Sequence, residues 1–582
     1  MREMTMKKAI SNTGRFLAPI ALLMWLAATA FAAAPGITGT TFNLTAQQAY
    51  LNQPDGEAVY SWGYGCATAP SGFAPTLPNQ TCPSMQVPGP TLIVTEGTTA
   101  APVTITVNLT NNLPTAAGNT SILFPGLNVT ASCPASTTTG APQQGLLTCE
   151  AVPGGTVTYT ITNPTPGTHA YYSGTQGDLQ IEMGLYGAVI VLPATVPSNC
   201  TTGYHAANLA AEAHWGETDF RLSQAAYDHP ASCYDREYLF QWAEMDSRIH
   251  RQAQAEVAAR VGCTAGAPGC SLDVQTEPYH PAYFLINGRS MPDLMDPNFA
   301  GEYPHQPYNG NPHTHPGDLL LIRTIGQGRW QHPFHEHANH VRILARDGNL
   351  IVSSTTAPIS YNTPGGTAAS GPPLAGLLMF NTDTTPGESF DGIFYFTGRG
   401  LNWDPYGHHP ISSTSDPLAT LSCTPDANGY NTGDPTALNY FEWCQDHNKP
   451  VEVNPFGDVP GGGPATLPDP NVFTNGQWYG GTPYLGPDAS LRAEMPTCQG
   501  SPYGTPNPTT PSGGAGTPSV NTANCTTLLP SNTQANPASE RGWAFMWHSH
   551  NEREITTNNV FPGGMLMMLL VDSREFVIDE SL

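Results

Sequence analysis

His332, His335, His337 and His340 share one short segment, HPFHEHANH, and His548 and His550 share another, WHSH. On an extended backbone residues i and i+2 point to the same face. His335 and His337 therefore present two imidazoles in one direction, and so do His548 and His550. Two such pairs facing each other supply neutral ring nitrogens, a donor set suited to copper or zinc. The bland alternative is a hydrogen-bonded histidine cluster with no ion. His332 and His340 are weaker ligand candidates. His313 and His315, just ahead of Pro316-Gly317-Asp318, are a weaker source still. The remaining histidines, such as His169, His205 and His250, are scattered, and a surface or satisfied core role is expected for each.

The elements that must position these side chains read as strands. Val103, Ile105, Val107 and Leu109 alternate with Thr104, Thr106 and Asn108, the period of a half-buried strand. Val157, Tyr159 and Ile161 repeat it, and Gly184 to Pro193 is an apolar run between breakers. A second series follows at Tyr238 to Trp242, Tyr283 to Ile286, Leu319 to Arg323, Val341 to Ala345, Gly392 to Phe396, Trp543 to Trp547 and Met565 to Val571. Short strands between Gly/Pro turns suggest sandwiches. The expectation is an all-β protein with a first β-sandwich over 36–198, a stapled linker over 199–235 and a second sandwich over 236–582. Ala206 to Ala213 and Arg248 to Val261 have helical character. Residues 400–540 are rich in Gly, Pro, Asn and Thr. They read as a disulfide-pinned loop insertion in the second unit, with a separate small domain as the other reading.

Composition narrows the class. The 582 residues hold 20 Lys plus Arg against 45 Asp plus Glu, a formal charge of −25, so a nucleic-acid partner is not expected. With 59 Gly, 57 Pro and 11% charged residues the chain is no long helical bundle. A hydrophobic fraction of 39% argues against disorder. Lys7, Lys8 and Arg15 precede an apolar run, Phe16 to Phe31, that ends in Ala30-Phe31-Ala32. This is a signal-peptide pattern over 1–32, with cleavage after Ala32. An uncleaved anchor is the alternative, but the run is shorter than the roughly 20 residues a span needs. A secreted or periplasmic protein with no later membrane span is expected. The 12 cysteines fall into sequence-local couples, Cys66/Cys82, Cys133/Cys149, Cys200/Cys233, Cys263/Cys270, Cys423/Cys444 and Cys498/Cys525. An oxidising compartment favours bridges. None of them forms a CxxC motif, so thiolate chemistry is not expected.

At this point the chain resembles a family. HPFHEH, His332 to His337, is similar to the HPxHxH signature of multicopper oxidases. Pro88-Gly89-Pro90-Thr91, Gly167 to Val191, Ile286-Asn287-Gly288-Arg289-Ser290 with Pro292-Asp293, Trp547-His548-Ser549-His550 and Gly564-Met565 resemble further family segments in the same order. The resemblance implies two cupredoxin-like Greek-key β-sandwich domains and a copper cofactor. The departures matter equally. Leu123 and Pro125 stand where the first-domain motif has His, and Tyr172-Ser173-Gly174 stands where HSH is expected. Ser549 replaces the cysteine of the blue-copper site, and Glu554 replaces its later His. His332 and Met565 remain as partners of that lost site. A hydroxyl cannot form the thiolate–copper bond, so the usual electron path to a three-copper cluster is cut. What the resemblance leaves is half a cluster, His335, His337, His548 and His550, with His340 and Glu554 nearby.

Three readings stay open: a copper-dependent oxidoreductase working at this reduced site, a non-catalytic copper- or zinc-binding protein, and a scaffold kept for structure or interaction. A small-molecule or metal-ion substrate fits the first. Family members with two such domains tend to trimers, so a homo-oligomer is a further expectation. No catalytic residue is assigned.

Overall fold

The computed structural model describes residues 34–133, 140–361, 365–398, 423–437, 439–444, 481–484, 542–572, 574, 577 and 578. The alternating strand forms as read: in Thr104–Asn111 the residues Ile105, Val107 and Leu109 are buried and Thr104 faces water. It lies between Thr41–Asn52, parallel, and Thr156–Thr162, antiparallel. Strands Ala58–Cys66 and Val129–Ala131 complete that five-stranded sheet. A second five-stranded sheet, in the order Gly167–Tyr172, Tyr186–Leu192, Leu92–Thr95, Gly36–Thr38 and Gly72–Ala74, supplies other strands of this half. Phe42, Trp62, Tyr64, Val107, Tyr159 and Tyr171 belong to one buried cluster.

The later strands form a seven-stranded and a six-stranded sheet. The first runs Tyr283–Ile286, Arg236–Met245, Leu320–Gly326, Ser389–Phe394, Val341–Arg346 and Asn349–Leu350, with Leu378–Met379 also on Val341–Arg346. The second runs His313–Thr314, Leu566–Asp572, Gly542–Ser549, His332–Glu336 and Asn381–Thr384. Aromatic rings, including Phe240, Trp242, Phe334, Phe394, Trp543 and Trp547, fill the space between. The architecture is mostly β-sheet, as expected.

Strand Arg236–Met245 is twice the length that its apolar run, Tyr238 to Trp242, suggests, and all ten residues are buried. The reason is charge pairing. Arg236 bonds Glu217 and Asp318, Glu237 bonds Arg323, and Glu244 bonds His332. Buried charges that are paired can stay inside a strand, so hydropathy alone misplaces its ends. The two longer helices among the described residues are Tyr204–Trp215 and Ser247–Ala259. Asp246 caps the second, its side chain accepting from the Arg248 N–H. Segment 199–235 packs closely: Asn208, Glu212 and Glu217 are buried in the same charge network as Arg236.

Five disulfides join the couples that local spacing suggests, from Cys66–Cys82 to Cys423–Cys444. Cys498 and Cys525 lie outside the described residues, as do residues 1–32, where a signal peptide is expected, and most of 400–540. The described part of that insertion departs from pure loop: Gly481–Tyr484 is a strand paired antiparallel with Gly542–Ser549. Among the described residues no helix is long and apolar enough to cross a membrane.

Candidate metal centre

Strand His332–Glu336 pairs antiparallel with Gly542–Ser549, and the register sets His335 directly opposite His548. Phe334 faces Ser549 and Glu336 faces Trp547 across the same ladder. The period of two sorts these residues onto two faces. Phe334, Glu336, Trp547 and Ser549 are all fully buried toward the core. His335, His337, His548 and His550 gather on the other face. Ring centroids lie 4.7 Å apart for His335 and His337, 5.4 Å for His335 and His548, and 5.2 Å for His337 and His548.

One nitrogen from each of His335, His337 and His548 lies within 4.8 Å of the other two. The Nε2 atoms of His337 and His548 are 3.2 Å apart. His548 Nδ1 donates to the Ser549 carbonyl at 2.7 Å, which leaves its Nε2 lone pair turned to the group. Trp547 Nε1 donates to the His337 carbonyl at 3.0 Å and fixes the other strand end. Burial, then the charges of His337, His548 and His550, pushes His335 down to about 4. His548 is lowered as well, chiefly by burial. His335 and His548 are therefore neutral at neutral pH. Converging imidazole nitrogens are a donor set that a copper or zinc ion fits.

His550 adjoins this group without entering it. Its exposed ring lies 4.8 Å from His335 and stacks 5.9 Å from His548, but its nitrogens are outside the converging set. The geometry thus brings together three of the four histidines expected. His340 is also elsewhere, packed edge-on against Phe380 at 5.1 Å, with Phe380 in turn 5.8 Å from His335.

His332, Glu554 and Met565 occupy the inner face and do not reach the histidine group. His332 is fully buried between two carboxylates, with Nδ1 on Glu554 Oε2 and Nε2 on Glu244 Oε2, both at 2.8 Å. Burial alone would lower His332, but Glu244 and Glu554 outweigh it and raise it to about 9. Both ring nitrogens donate, so neither has a lone pair for a metal. Ser549 Oγ donates to the same Glu554 oxygen at 2.5 Å, and Asn551 Nδ2 reaches its other oxygen at 2.9 Å. Met565 packs into the aromatic core. The positions that resemble a blue-copper site thus hold a hydrogen-bonded ion-pair network.

His313 and His315 are likewise committed. His313 pairs with Asp572, while His315 bonds Glu217 at 2.5 Å and the Asp572 carbonyl at 2.9 Å. The two segments lacking the family histidines do meet, through backbone bonds between Leu123 and Tyr172. They bring an isobutyl group and a phenol there. Glu244 carries no motif in the sequence. Its one signal is position: it follows Tyr238, Phe240 and Trp242 at period two, so it must point inward. Glu336, fully buried beside Thr382, is pushed well up by burial.

Residues 81–195 match a family model described as multicopper oxidase. No curated protein matches the chain. A blue copper oxidase from Nitrosomonas europaea is 14% identical, covering 91% of this chain and 85% of that one at a TM-score of 0.38. A copper nitrite reductase from Nitrosomonas europaea is 16% identical over 62% of this chain and 84% of its own, at 0.32. A laccase from Botrytis aclada is 16% identical over 62% and 47%, at 0.31. Over the matched segment the chain is multicopper-oxidase-like.

Proposed function

We propose that this chain is an exported, multicopper-oxidase-like protein that binds one copper ion through His335, His337 and His548, with His550 as the adjacent fourth ligand. The observation that carries the reading is the convergence of three imidazole nitrogens on one face of two paired strands. Copper held there supplies one-electron redox chemistry. The chain's own part is to hold the rings: the Ser549 carbonyl orients His548, and the paired strands fix His335 against it. The signal-like segment before Ala32 supports export.

Copper-loaded protein is expected to give an electron paramagnetic resonance signal with nitrogen hyperfine coupling from these rings. In H335A the copper affinity should fall by at least about 100-fold, since losing a ligand costs more than losing a supporting partner. A Cu(II) signal without nitrogen coupling, or unchanged affinity in H335A, overturns the reading.

The depressed His335 also sets a pH dependence. An ordinary imidazole near 6.5 takes up a proton and releases metal as pH falls through that value. With His335 at about 4 and His548 lowered, binding should persist to about pH 5. A competition titration across pH 4–7 checks this, and release centred on pH 6.5 contradicts it.

Whether the ion turns over substrate separates two versions. The match to an oxidase family supports a copper-dependent oxidoreductase. The buried ion-pair network at Ser549 and His332 supports a non-catalytic copper- or zinc-binding protein, because no thiolate path feeds the site. Oxygen uptake on phenols, Fe(II) or Mn(II), measured against H335A, decides between them.

A further inference from the structure

We propose that Met546 and Met568, with His337, form a soft-donor site beside the histidine group, and that it takes copper as the monovalent ion. The proposal deepens the reading above by naming the oxidation state in which copper is received, and it rests on that reading through His337. Two strands place the donors by the way they sort their side chains. Along Gly542–Ser549 the core takes Trp543, Phe545, Trp547 and Ser549, whereas Met546 is 40% exposed and stands two residues before His548 on the outer face. In Leu566–Asp572 the core takes Met567, Leu569 and Val571, and Met568 is half-buried on the other face. The register sets Met546 directly opposite Met568. Residues so placed carry Cβ atoms about 5 Å apart. On its other side Met546 meets His337, whose N–H donates to the Met546 carbonyl at 3.3 Å. One row across the sheet therefore reads His337, Met546, Met568, and the next reads His335, His548, Leu566.

The row begins inside the imidazole group, because the His337 ring is 4.7 Å from that of His335 and 5.2 Å from that of His548. Packing does not account for its two methionines. Met565 and Met567 fill the aromatic core from the inner face, and neither Met546 nor Met568 belongs to that cluster. A thioether is a soft, uncharged donor that favours Cu(I). The methionine side chain is unbranched, with three rotatable bonds, so two of them at opposed positions can turn their sulfurs to one ion. His337 supplies the third donor. The row holds no carboxylate, so a hard divalent cation finds no suitable ligand in it.

Metal-free protein, isotope-labelled at its methionine methyl groups, is titrated with Ag(I), a redox-silent stand-in for Cu(I). The methyl signals of Met546 and Met568, assigned by their loss in M546L and M568L, should shift saturably, while those of Met565 and Met567 stay in place. Mg(II) should move none of them. Cu(I) affinity, measured without oxygen by competition with a colorimetric chelator, should fall at least about tenfold in M546L and further in M546L/M568L. Leucine keeps the volume and the apolar character, so the melting curve should not move. Methyl signals that ignore Ag(I), an equal response to Mg(II), or wild-type Cu(I) affinity in the folded double variant each overturns the proposal. Silent methyls beside a nitrogen-coupled Cu(II) signal overturn the thioether site and leave the histidine reading standing. Responsive methyls beside an uncoupled Cu(II) signal support the thioether site and overturn the histidine reading.

Discussion

Replacing His332 with alanine should cost about 3–5 kcal/mol of folding stability, whether or not copper is bound. Removing one partner of a buried ion pair leaves the other charge uncompensated in a low-dielectric interior. Here the imidazolium stands between two carboxylates, Glu244 and Glu554, each at 2.8 Å, and none of the three is exposed to water beyond a few per cent. The sign with pH follows from the raised titration of His332. Its folded value, about 9, is above the unfolded 6.5. Its contribution is therefore fully present below pH 6.5 and is lost as pH rises through about 9. The penalty of H332A should shrink over the same window. His335 acts oppositely. Its folded value, about 4, is below 6.5, so in metal-free protein its contribution is lost as pH falls from 6.5 toward 4. Urea midpoints of the metal-free wild type and H332A at pH 5, 7 and 9.5 test both signs. A penalty under about 1 kcal/mol at pH 5 would show that the network is not holding the sheet together.

The double variant S549C/E554H should turn blue with copper, whereas the wild type should not. Ser549 Oγ and His332 Nδ1 converge on one point, the Glu554 Oε2 atom, at 2.5 and 2.8 Å. That carboxylate oxygen sits where two donor side chains already aim. Exchanging it for an imidazole and the hydroxyl for a thiol would complete a His₂Cys set, with the Met565 side chain buried in the same core. The expected result is an intense visible thiolate–copper band in the double variant alone. S549C by itself retains Glu554, which keeps His332 Nδ1 occupied, and should stay colourless. A folded double variant that binds copper without the band would mean that the backbone, and not only these side chains, has moved away from a blue-copper geometry.

Much of the architecture was legible because alternation is a local property. Ile105 to Leu109, Val157 to Ile161 and most of each later apolar run lie on strands, since a side-chain period of two needs no tertiary information. Five of the disulfide couples were readable for a similar reason: short spacing limits the partners. The ends of Arg236–Met245 were not readable. Arg236, Glu237 and Glu244 look like surface residues until Glu217, Asp318, Arg323 and His332 arrive from distant segments to neutralise them.

The same division runs through the metal centre. By itself the sequence determined that His335 and His337 share a face, that His548 and His550 share another, and that no thiol stands between the latter pair. Backbone geometry fixes those statements. Only the tertiary structure decided the register that sets His335 against His548, because register depends on the hydrophobic fit of a whole strand pair. It also decided that His332, one residue out of phase with His335, points inward to two glutamates far away in the chain. Which side of a sheet becomes core, and which charges meet there, is a property of long-range packing that no local pattern records.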